Sequence, residues 1–346
     1  MEVPRKIPTI QDVARHAKVS AATVSRVLSN PERVSEATRA RVHEAVRLTG
    51  YTINQAARTL RMQRAKTILM ALPGIGNPFY STVLEAAMQV ATARGYGLLV
   101  TGRLGDDPAR WLRDYYVSNR ADGLLLFDGT LVTQTLHGIA DDARQMPLVA
   151  SYDDVPDPRI NSVVTDNLEA AARAVAHLAE YGHTKIGHVN VRNESDLTKP
   201  HQRFSGFVQE MRRRGLEIRE DWIQPGDYSM ADGRRAAAAY AAMKERPTAI
   251  FTANDEMAIG LLAGFREHGI ECPRDVSIIG FDDITVATNY FPALTTMSQP
   301  RVELGRVATE ALINILEGNA GDGDPVHIVL PSELVVRQST QRLAGG

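Results

Sequence analysis

Short apolar runs that alternate with longer amphipathic stretches dominate the chain and restrict the folds open to it. From Lys66 onward these runs read TILMAL, YGLLVT, GLLLF, PLVAS, SVVT, KIGHVN, AIFTA and VSIIGF. Uninterrupted apolar runs of this length are typical of strands buried on both faces, so their alternation with helical stretches predicts parallel sheets wound in β-α-β units. Because the runs are numerous and a polar junction lies at residues 165–167, we expect two similar lobes rather than one sheet.

The N-terminal segment has a different pattern, which predicts three short helices. Thr9 with Asp12 is an N-cap signal for the first helix, Ser20 caps the second, and Ser35 caps a third that ends at Gly50. Two helices joined by so short a turn indicate a helix-turn-helix unit. An ordinary helical hairpin, in which the Ser and Thr residues only cap helices, is the alternative at this point.

Charge is unevenly distributed along the 346 residues, whose net charge is −2. Residues 1–64 hold 12 Lys and Arg against 5 Asp and Glu, a net charge of +7, whereas the rest of the chain holds 27 against 36. The basic N-terminal segment is therefore the predicted contact for a polyanion. The single cysteine, Cys272, excludes an internal disulfide, and neither a signal peptide nor a run of transmembrane length is found. These features favour a cytoplasmic protein with no membrane partner.

The outward face of the second helix has the chemistry of a major-groove reader. Arg26 has the reach to bond a guanine edge, and the methyl groups of Ala21, Ala22 and Thr23 suit contact with thymine. Hydroxyl groups near the helix ends suit phosphate contacts, and they belong to Ser20, Ser25, Ser35 and Thr38.

Residues 9–60 resemble the headpiece of the lactose-repressor (LacI) family, and the sequence is nearest to its cytidine-repressor branch. The resemblance rests on the ordered stretches DVARHAKVSAATVSRVLSN, VSEATRARV and GYTINQAARTL. It implies that Ala21, Ala22 and Arg26 read bases while neighbouring polar side chains hold phosphates. The whole set expected at a double-stranded DNA operator is Thr9, Ser20, Ala21, Ala22, Thr23, Ser25, Arg26, Arg33, Ser35, Thr38, Tyr51, Asn54, Ala57 and Leu60.

Residues 54–64 are predicted to form a hinge after the headpiece at residues 1–53. The segment QAARTLR favours a helix, but it is too short to be stable alone in water. The family resemblance implies that it folds when two subunits pair on the operator, with Leu60 as the leucine inserted into the minor groove. A plain linker, in which Leu60 packs on the following domain, is the alternative.

Residues 65–337 resemble the two-lobed, periplasmic-binding-protein-like (type I) sensor domain that follows the headpiece in this family. The expected architecture is therefore a small all-α helix-turn-helix headpiece followed by an α/β sensor with parallel sheets. The resemblance implies three crossings between the lobes, which we expect near residues 165, 294 and 326. The helix end at 313–318 and a strand around Ile328 then return to the first lobe.

Ligands of parallel sheets lie beyond the carboxyl ends of the strands, and this rule selects a set of polar and aromatic residues. In chain order they are Asn77, Phe79, Tyr80, Tyr152, Asp153, Asn254, Asp255, Asp282 and Asp283. Carboxylates, an amide and aromatic rings at one cleft suit a polyhydroxylated effector such as a sugar or a nucleoside. The family resemblance adds Arg203, Tyr228 and Gln299 as matches to pocket positions.

Several of these residues have a purely structural alternative. Asn254 and Asp282 could instead cap helices, and Phe79 could lie in the core. The side chain of Asp255 or Asp283 could point into solvent. Tyr152 stands at or beside the place where relatives have a short Asp or Asn, so the register there, and with it the identity of the ligand, stays open. The effector set expected in the pocket is Phe79, Tyr80, Tyr152, Asp153, Arg203, Tyr228, Asn254, Asp282 and Gln299.

The expected function is transcription repression through DNA binding under the control of a small polar effector, without enzymatic activity. The Gly74–Gly76 turn lacks the third glycine of a dinucleotide loop, no nucleophile or phosphate-loop motif is present, and the nine histidines show no metal spacing. We therefore expect no cofactor and no metal. The tail at residues 338–346 lacks the leucine heptad of a tetramerising helix, which favours a homodimer on a pseudo-palindromic operator. The alternatives are a soluble sugar-binding protein without a DNA-binding role and an α/β hydrolase or kinase-like enzyme.

Overall fold

The computed structural model describes most of the chain, namely residues 8–52, 64–102, 110–111, 114–115, 118–127, 147–152, 155, 157–191, 201–319 and 324–343. The chain divides into two compact units, Met1–Arg64 and Ala65–Gly346. Four residues of the predicted sites lie outside the described residues, and they are Asn54, Ala57, Leu60 and Asp153.

The described part of the first unit is helical. Its helices are α1 (Ile10–Ala17), α2 (Ala21–Ser29) and α3 (Glu36–Thr49), with one 3-10 turn at Pro31–Arg33. The apolar faces of the three helices meet in a core of small or β-branched side chains, chiefly Val13, Val24, Val27, Val42 and Ala45. The predicted helix-turn-helix headpiece is confirmed.

Local signals in the sequence explain where these helices begin and end. The backbone N–H and the hydroxyl of Thr9 donate to Asp12 at 2.9 and 2.7 Å, which fixes the start of α1. Ser20 Oγ accepts from the backbone N–H of Thr23 at 3.1 Å at the start of α2. α3 ends at Gly50, whose φ of +66° suits glycine.

The second unit contains two six-stranded sheets, one in each lobe. The strands of the first sheet are β1 (Thr67–Ala71), β2 (Gly97–Thr101), β3 (Gly123–Leu126), β4 (Leu148–Ala150), β5 (Asn161–Thr165) and β11 (His327–Leu330). Those of the second are β6 (Ile186–Val191), β7 (Ile223–Gly226), β8 (Ala249–Thr252), β9 (Ser277–Asp282), β10 (Thr295–Ser298) and β12 (Glu333–Val335).

Both sheets follow the same plan. Their strand orders are β11-β5-β4-β3-β1-β2 and β12-β10-β9-β8-β6-β7. Every neighbouring pair is parallel except β10 and β12, which are antiparallel. The eight apolar runs of the sequence all lie on strands, and the predicted two-lobed parallel α/β class is confirmed.

Helices cover both sheets. α4 (Pro78–Ala93) and α10 (Arg301–Leu316) pack on the first sheet, and α10 contacts α4 closely, since a Cβ on Gly305 would lie 2.2 Å from the carbonyl oxygen of Val83. The second lobe has α5 (Asn167–Glu180), α6 (Gln202–Arg213), α7 (Met230–Ala241), α8 (Asp255–Glu267), α9 (Thr285–Asn289) and a 3-10 turn at Glu220–Trp222. Among the described helices, none combines the length and the apolar content that crossing a bilayer requires.

In the described part of the sensor unit, three crossings join the two lobes. The crossings follow β5 at residues 165–166, precede α10 at 299–300 and separate β11 from β12 at 331–332. The last two lie five residues beyond the expected positions near 294 and 326. The crossing expected near 294 lies at 299–300 because residues 295–298 form a further buried strand of the second sheet. This strand is rich in threonine rather than in aliphatic side chains.

The described residues of the C-terminal segment, as far as 343, pack into the second lobe. Ser339 is fully buried, and its Oγ accepts from the backbone N–H of Thr295 at 2.8 Å and donates to the carbonyl of Ile278 at 2.6 Å. Thr340 is buried beside it. These polar residues have no apolar signature, but their hydrogen bonds to two strands make them part of the lobe.

Candidate functional site

The outward face of α2 has the small and basic side chains that a DNA reader requires. Ala22 and Arg26 are exposed, while Ala21, Thr23 and Ser25 are half-buried. The valines on the opposite face of the helix are fixed in the headpiece core. The helix therefore presents methyl groups and one guanidinium on a narrow surface, which fits the width of a major groove.

Hydroxyl pairs mark the N-termini of α2 and α3. Ser20 Oγ and Thr23 Oγ1 share a hydrogen bond of 2.9 Å, and Ser35 Oγ donates to Thr38 Oγ1 at 3.0 Å. The first turns of both helices also have backbone N–H groups without an intrahelical partner, and the helix dipole is positive there. Both N-termini thus have the chemistry of phosphate contacts.

Three further residues expected at the operator lie in the same unit. Thr9 begins α1, Arg33 is exposed in the 3-10 turn, and Tyr51 is half-buried against the headpiece core after α3. Each of these positions is compatible with the predicted operator contact. The DNA contacts themselves stay predictions.

A buried arginine lies at the carboxyl edge of the second sheet. Arg203, in the first turn of α6, donates from Nε to Asn167 Oδ1 at 3.0 Å and from Nη1 to the carbonyl of Ala253. Its guanidinium lies 3.8 Å from the centre of the Phe281 ring, and Nη1 is 3.7 Å from Asp282 Oδ1. The planar guanidinium of Arg203 is therefore held by packing and by fixed hydrogen-bond acceptors, so its orientation is set before a ligand binds.

The carboxylate of Asp282 lies opposite this arginine and is connected to the crossings between the lobes. Gln299 Nε2 donates to Asp282 Oδ1 at 2.7 Å, and Thr165 Oγ1 donates to Gln299 Oε1 at 2.8 Å. Asp282 has a φ of +114°, a strained conformation for a residue with a Cβ. We call Thr165, Asn167, Arg203, Asp282 and Gln299 the polar cluster; all five side chains are buried.

Asn254 and Tyr228 lie next to the polar cluster. Asn254 is the N-cap of α8, where its Oδ1 accepts from the N–H of Met257 at 2.9 Å, and its Nδ2 donates to the carbonyl of Tyr228 at 3.0 Å. Tyr228 has a φ of +60°, and its hydroxyl is 2.9 Å from His201 Nε2. Because His201 Nδ1 accepts from a backbone N–H, Nε2 is the protonated nitrogen and donates to the tyrosine.

The three aromatic residues that the first lobe contributes to the predicted pocket lie on two different surfaces of that lobe. Phe79 packs against the cores of both lobes, and its ring is 5.0 Å from that of Tyr80 in an edge-to-face arrangement. Tyr152 packs instead with Leu69 and Ala71, on the other face of the first sheet. The structure therefore brings Arg203, Asp282 and Gln299 together, with Asn254 and Tyr228 adjacent, and places Tyr152 in a separate apolar cluster.

Two carboxylates that the sequence left open have structural partners. Asp255 is fully buried and accepts from Thr296 Oγ1 at 2.6 Å and from the N–H of Ile284 at 2.9 Å. Burial and the neighbouring charge of Asp282 raise the pKa of Asp255 well above its usual range. Asp283 pairs with Arg337 at 2.6 Å. Solvent exposure, the alternative considered for both, is wrong.

The sequence analysis missed three functional candidates: Thr165, Asn167 and His201. Thr165 ends β5 and Asn167 begins α5, so the rule that selects the carboxyl ends of strands would have found both. His201 follows no strand pattern, and its role as N-cap of α6 appears only in the structure. Within the described ranges, no group of three or more His, Cys, Asp or Glu side chains is arranged to hold a metal ion.

A helical headpiece with a major-groove face, followed by two lobes around a buried polar cluster, defines a class of ligand-responsive DNA-binding regulators. Residues 9–54 match the family described as bacterial regulatory proteins, lacI family, and residues 175–340 match the periplasmic binding protein-like domain. The HTH-type transcriptional repressor CytR of Escherichia coli K12 is 36% identical over 341 residues, which cover 97% of both chains. The repressor PurR of Photobacterium profundum is 34% identical, over 97% of this chain and 99% of its own.

Solved structures agree with this grouping. The lac repressor dimer bound to operator and the anti-inducer ONPF has a TM-score of 0.86 at 26% identity, over 97% of this chain and 100% of its own. The regulator CelR in complex with cellobiose has a TM-score of 0.71 at 27% identity, over 96% of this chain and 99% of its own. The chain belongs to the LacI family, and it is a DNA-binding transcription repressor under the control of an effector.

Proposed function

We propose that the chain binds a pseudo-palindromic operator as a homodimer and that a polyhydroxylated metabolite, of the sugar or nucleoside class, sets its operator affinity from the polar cluster. The observation that carries this proposal is the buried pair of Arg203 and Asp282, whose closest atoms are 3.7 Å apart. The pair lies at the carboxyl edge of a parallel sheet, where α/β proteins bind their ligands. The curated relatives are regulators, and we propose no catalytic role.

The chemistry of the cluster favours hydroxyl groups. A hydroxyl that donates to Asp282 and accepts from Arg203 satisfies both charged groups at once, and vicinal hydroxyls match the two-pronged geometry of a guanidinium. Phe79 and Tyr80 supply aromatic surface for the apolar face of a ring. Tyr228 and Asn254 stay proposed contacts at the edge of the pocket, and Tyr152 and Asp153 stay predictions.

In the headpiece we propose Arg26 as the principal base reader, with Ala21 and Ala22 giving clearance and methyl contacts. The hydroxyl groups at the starts of α2 and α3 would hold the backbone phosphates, which set register without reading sequence. Leu60 and Ala57 stay predicted minor-groove contacts. The site of action is the cytoplasm, where a bacterial regulator meets its operator.

For the homodimer we propose the outward face of α4 as the interface. This face lines a shallow depression formed by Ser81, Leu84, Glu85, Met88, Gln89, Thr92 and Ala93. Met88 is 50% exposed, a large apolar side chain in contact with water. A symmetric dimer has two headpieces for the two half-sites of a pseudo-palindromic operator, and the related lac repressor is described as a dimer bound to operator.

The DNA arm of the proposal is tested with an operator selected from a random duplex pool. Arg26→Ala should lower selectivity for that operator over random DNA by about 10- to 100-fold, because one bidentate base contact is worth about 1–3 kcal/mol. Arg47→Ala is the control, because it removes the same charge from a side chain already paired with Glu44 on α3. Unchanged selectivity in Arg26→Ala would show that α2 is not the reader.

The effector arm is tested by thermal unfolding with cytidine, adenosine, ribose and cellobiose. A ligand at about 100 times its dissociation constant stabilises the native state by about 2.7 kcal/mol. The proposal is supported by a compound that stabilises the wild type, does not stabilise Asp282→Ala and changes operator affinity. The direction of the change in operator affinity distinguishes induction from corepression. A compound that binds the cluster without changing operator affinity would favour a binding protein over a regulator.

A further inference from the structure

The chain enters the sensor unit through a short, firmly held segment at residues 64–67. Asp122 accepts from the backbone N–H of Ala65 at 2.7 Å and from that of Thr67 at 3.3 Å. Lys66 between them has a φ of +50°, and its ammonium lies 4.0 Å from the centre of the Tyr96 ring. These contacts hold the start of the sensor unit in place, and we call this segment the linker root.

A second carboxylate from elsewhere in the fold also reaches the linker root. Glu317 Oε1 is 3.7 Å from Lys66 Nζ, and Glu317 Oε2 is 2.5 Å from Arg94 Nη2. Arg94 follows α4, so the glutamate joins the linker root to the end of a second helix. These two cations lower the pKa of Glu317, which keeps the carboxylate charged.

Glu317 is the C-cap of α10, and the other end of this helix lies at the polar cluster. α10 begins at Arg301, two residues after Gln299, which donates to Asp282. Arg301 donates to Thr82 Oγ1 at 3.3 Å in the first lobe and to the carbonyl of Asp283 in the second. At 1.5 Å per residue, the 16 residues of the helix span about 24 Å between the two ends.

The middle of α10 is packed as a rigid body. Leu304, Ala308, Leu312 and Ile313 are buried in the core of the first lobe, and Gly305 brings the helix backbone against α4. A helix held this way moves as one piece, because its packed side chains allow discrete shifts rather than continuous deformation. The two ends of α10 are therefore parts of one firmly packed element.

We propose that Glu317 is a positioning residue that couples the polar cluster to the linker root through α10. The inference rests on the proposed function and adds the route by which effector occupancy reaches the headpiece. A ligand hydroxyl that competes with Gln299 for Asp282 changes the position of the N-terminal end of α10. The C-terminal end then shifts the ion pair with Lys66, and the linker root changes its direction or its freedom.

The test is a double-mutant cycle on operator affinity in the full chain without any effector. Gln299→Ala perturbs the cluster, and Glu317→Gln removes the charge at the linker root while keeping the size of the side chain. Glu317→Gln alone should weaken operator binding about two- to fivefold, the range of an exposed ion pair. The effect of Gln299→Ala should be at least threefold smaller in the Glu317→Gln background than in the wild type.

Glu310→Gln is the matched control. Glu310 lies seven residues before Glu317 on the same helix, about 10 Å along its axis, and pairs with Arg306 at 2.7 Å. In this background the effect of Gln299→Ala should equal that in the wild type, because distant independent sites are additive to within about twofold. Additivity between Gln299→Ala and Glu317→Gln, at the same level as the control, overturns the proposal.

Hydrogen exchange supplies a readout that needs neither DNA nor effector. Gln299→Ala should accelerate exchange of the Ala65 and Thr67 amides, which donate to Asp122, in the wild-type and Glu310→Gln backgrounds and not with Glu317→Gln. Equal acceleration in all backgrounds overturns the coupling. A chain that selects no operator would refute the proposed function, whereas the exchange data would still decide the coupling.

Discussion

The two lobes of the sensor share a plan of six strands but differ in what they bury. The clusters beneath the first sheet consist of aliphatic and aromatic side chains. Of the charged residues buried in the described ranges, only Asp157 belongs to the first lobe, and it pairs with Arg159 at 2.7 Å. The second lobe buries five, which are Arg203, Glu210, Asp232, Asp255 and Asp282.

The difference in buried charge suggests different roles for the two lobes in effector binding and in its transmission to the headpiece. Buried ionic groups cost desolvation energy and contribute little net stability, so a lobe that keeps them does so for another purpose. The first lobe contains the linker root and the proposed dimer interface on α4, and its core is almost wholly apolar. We infer that the second lobe supplies the charged contacts to the effector and that the first lobe transmits effector binding to DNA affinity.

The largest expected effect is on ligand affinity in the second lobe. Asp282→Asn should weaken binding of the effector found by the thermal screen by about 30- to 5,000-fold, because removing the charge of a buried partner costs about 2–5 kcal/mol of binding free energy. Calorimetric titration measures it. Asp283→Asn, the adjacent carboxylate paired with Arg337, should lose less than tenfold. Equal losses would remove the polar cluster from the effector site.

An added methyl group should also be tolerated less well within the second sheet than within the first. A Cβ on Gly280 would lie 2.1 Å from Asp255 Oδ1, a carboxylate held by two hydrogen bonds. Gly280→Ala should therefore lower the free energy of unfolding by about 3 kcal/mol. A Cβ on Gly123 in the first sheet would meet Leu312 at 3.0 Å, so Gly123→Ala should cost only about 1 kcal/mol. Urea unfolding compares them, and a larger loss for Gly123→Ala would contradict the comparison.

The second lobe should be the more acid-sensitive one because it buries a neutral histidine. His188 is enclosed by Phe204, Phe207 and Phe251, and burial lowers its pKa from 6.5 to about 3. Below pH 6.5 the unfolded chain binds a proton that the native chain does not, so stability is complete above pH 6.5 and falls as the pH decreases toward 3. Between pH 7 and pH 5 this histidine should account for a loss of about 2 kcal/mol.

His188→Gln should reduce the loss of unfolding free energy between pH 7 and pH 5 by that amount, as measured by urea unfolding at each pH. His327→Gln, at an exposed position of the first sheet, is the matched control. This variant should lose as much unfolding free energy between pH 7 and pH 5 as the wild type. If both variants showed the wild-type pH dependence, the acid sensitivity would not originate at His188.

The smallest expected effect concerns assembly through the first lobe. Met88→Arg places a charge on the outward face of α4 and should raise the dimer dissociation constant about tenfold, the equivalent of about 1.4 kcal/mol. Met230→Arg in the second lobe starts from a similar exposure, 41% against 50%, and should leave dimerisation unchanged. Sedimentation over a concentration series measures both. A larger effect of Met230→Arg would move the interface to the second lobe.

Much of this architecture could be predicted because its signals are local. Apolar runs located the buried strands, and N-cap residues located the headpiece helices. β10 was missed because its Thr-Thr-Met-Ser sequence has no apolar pattern, although Thr295 and Thr296 are fully buried and hydrogen-bonded. The packing of residues 338–343 depends on contacts with distant strands, which no local pattern records.

The residues of the candidate site were likewise predictable where a local signal exists and not where tertiary contacts decide. The end-of-strand rule found Asn254 and Asp282, and resemblance supplied Arg203 and Gln299. The same rule selected Asp255, which the structure places in the core, because sequence does not show toward which side of a strand end a carboxylate points. The alternative of a helix cap is confirmed for Asn254, which caps α8 while lying beside the polar cluster.

The three crossings also determine the order in which the protein becomes complete during translation. The headpiece helices lie within the first 49 residues and can pack while most of the chain is unmade. The first sheet, by contrast, has five strands by residue 165 but lacks α10 and β11 until residue 330. During that interval a nascent chain exposes the apolar face that α10 later covers, which makes this lobe the expected client of chaperones. The part that reads DNA is thus finished long before the part that regulates it.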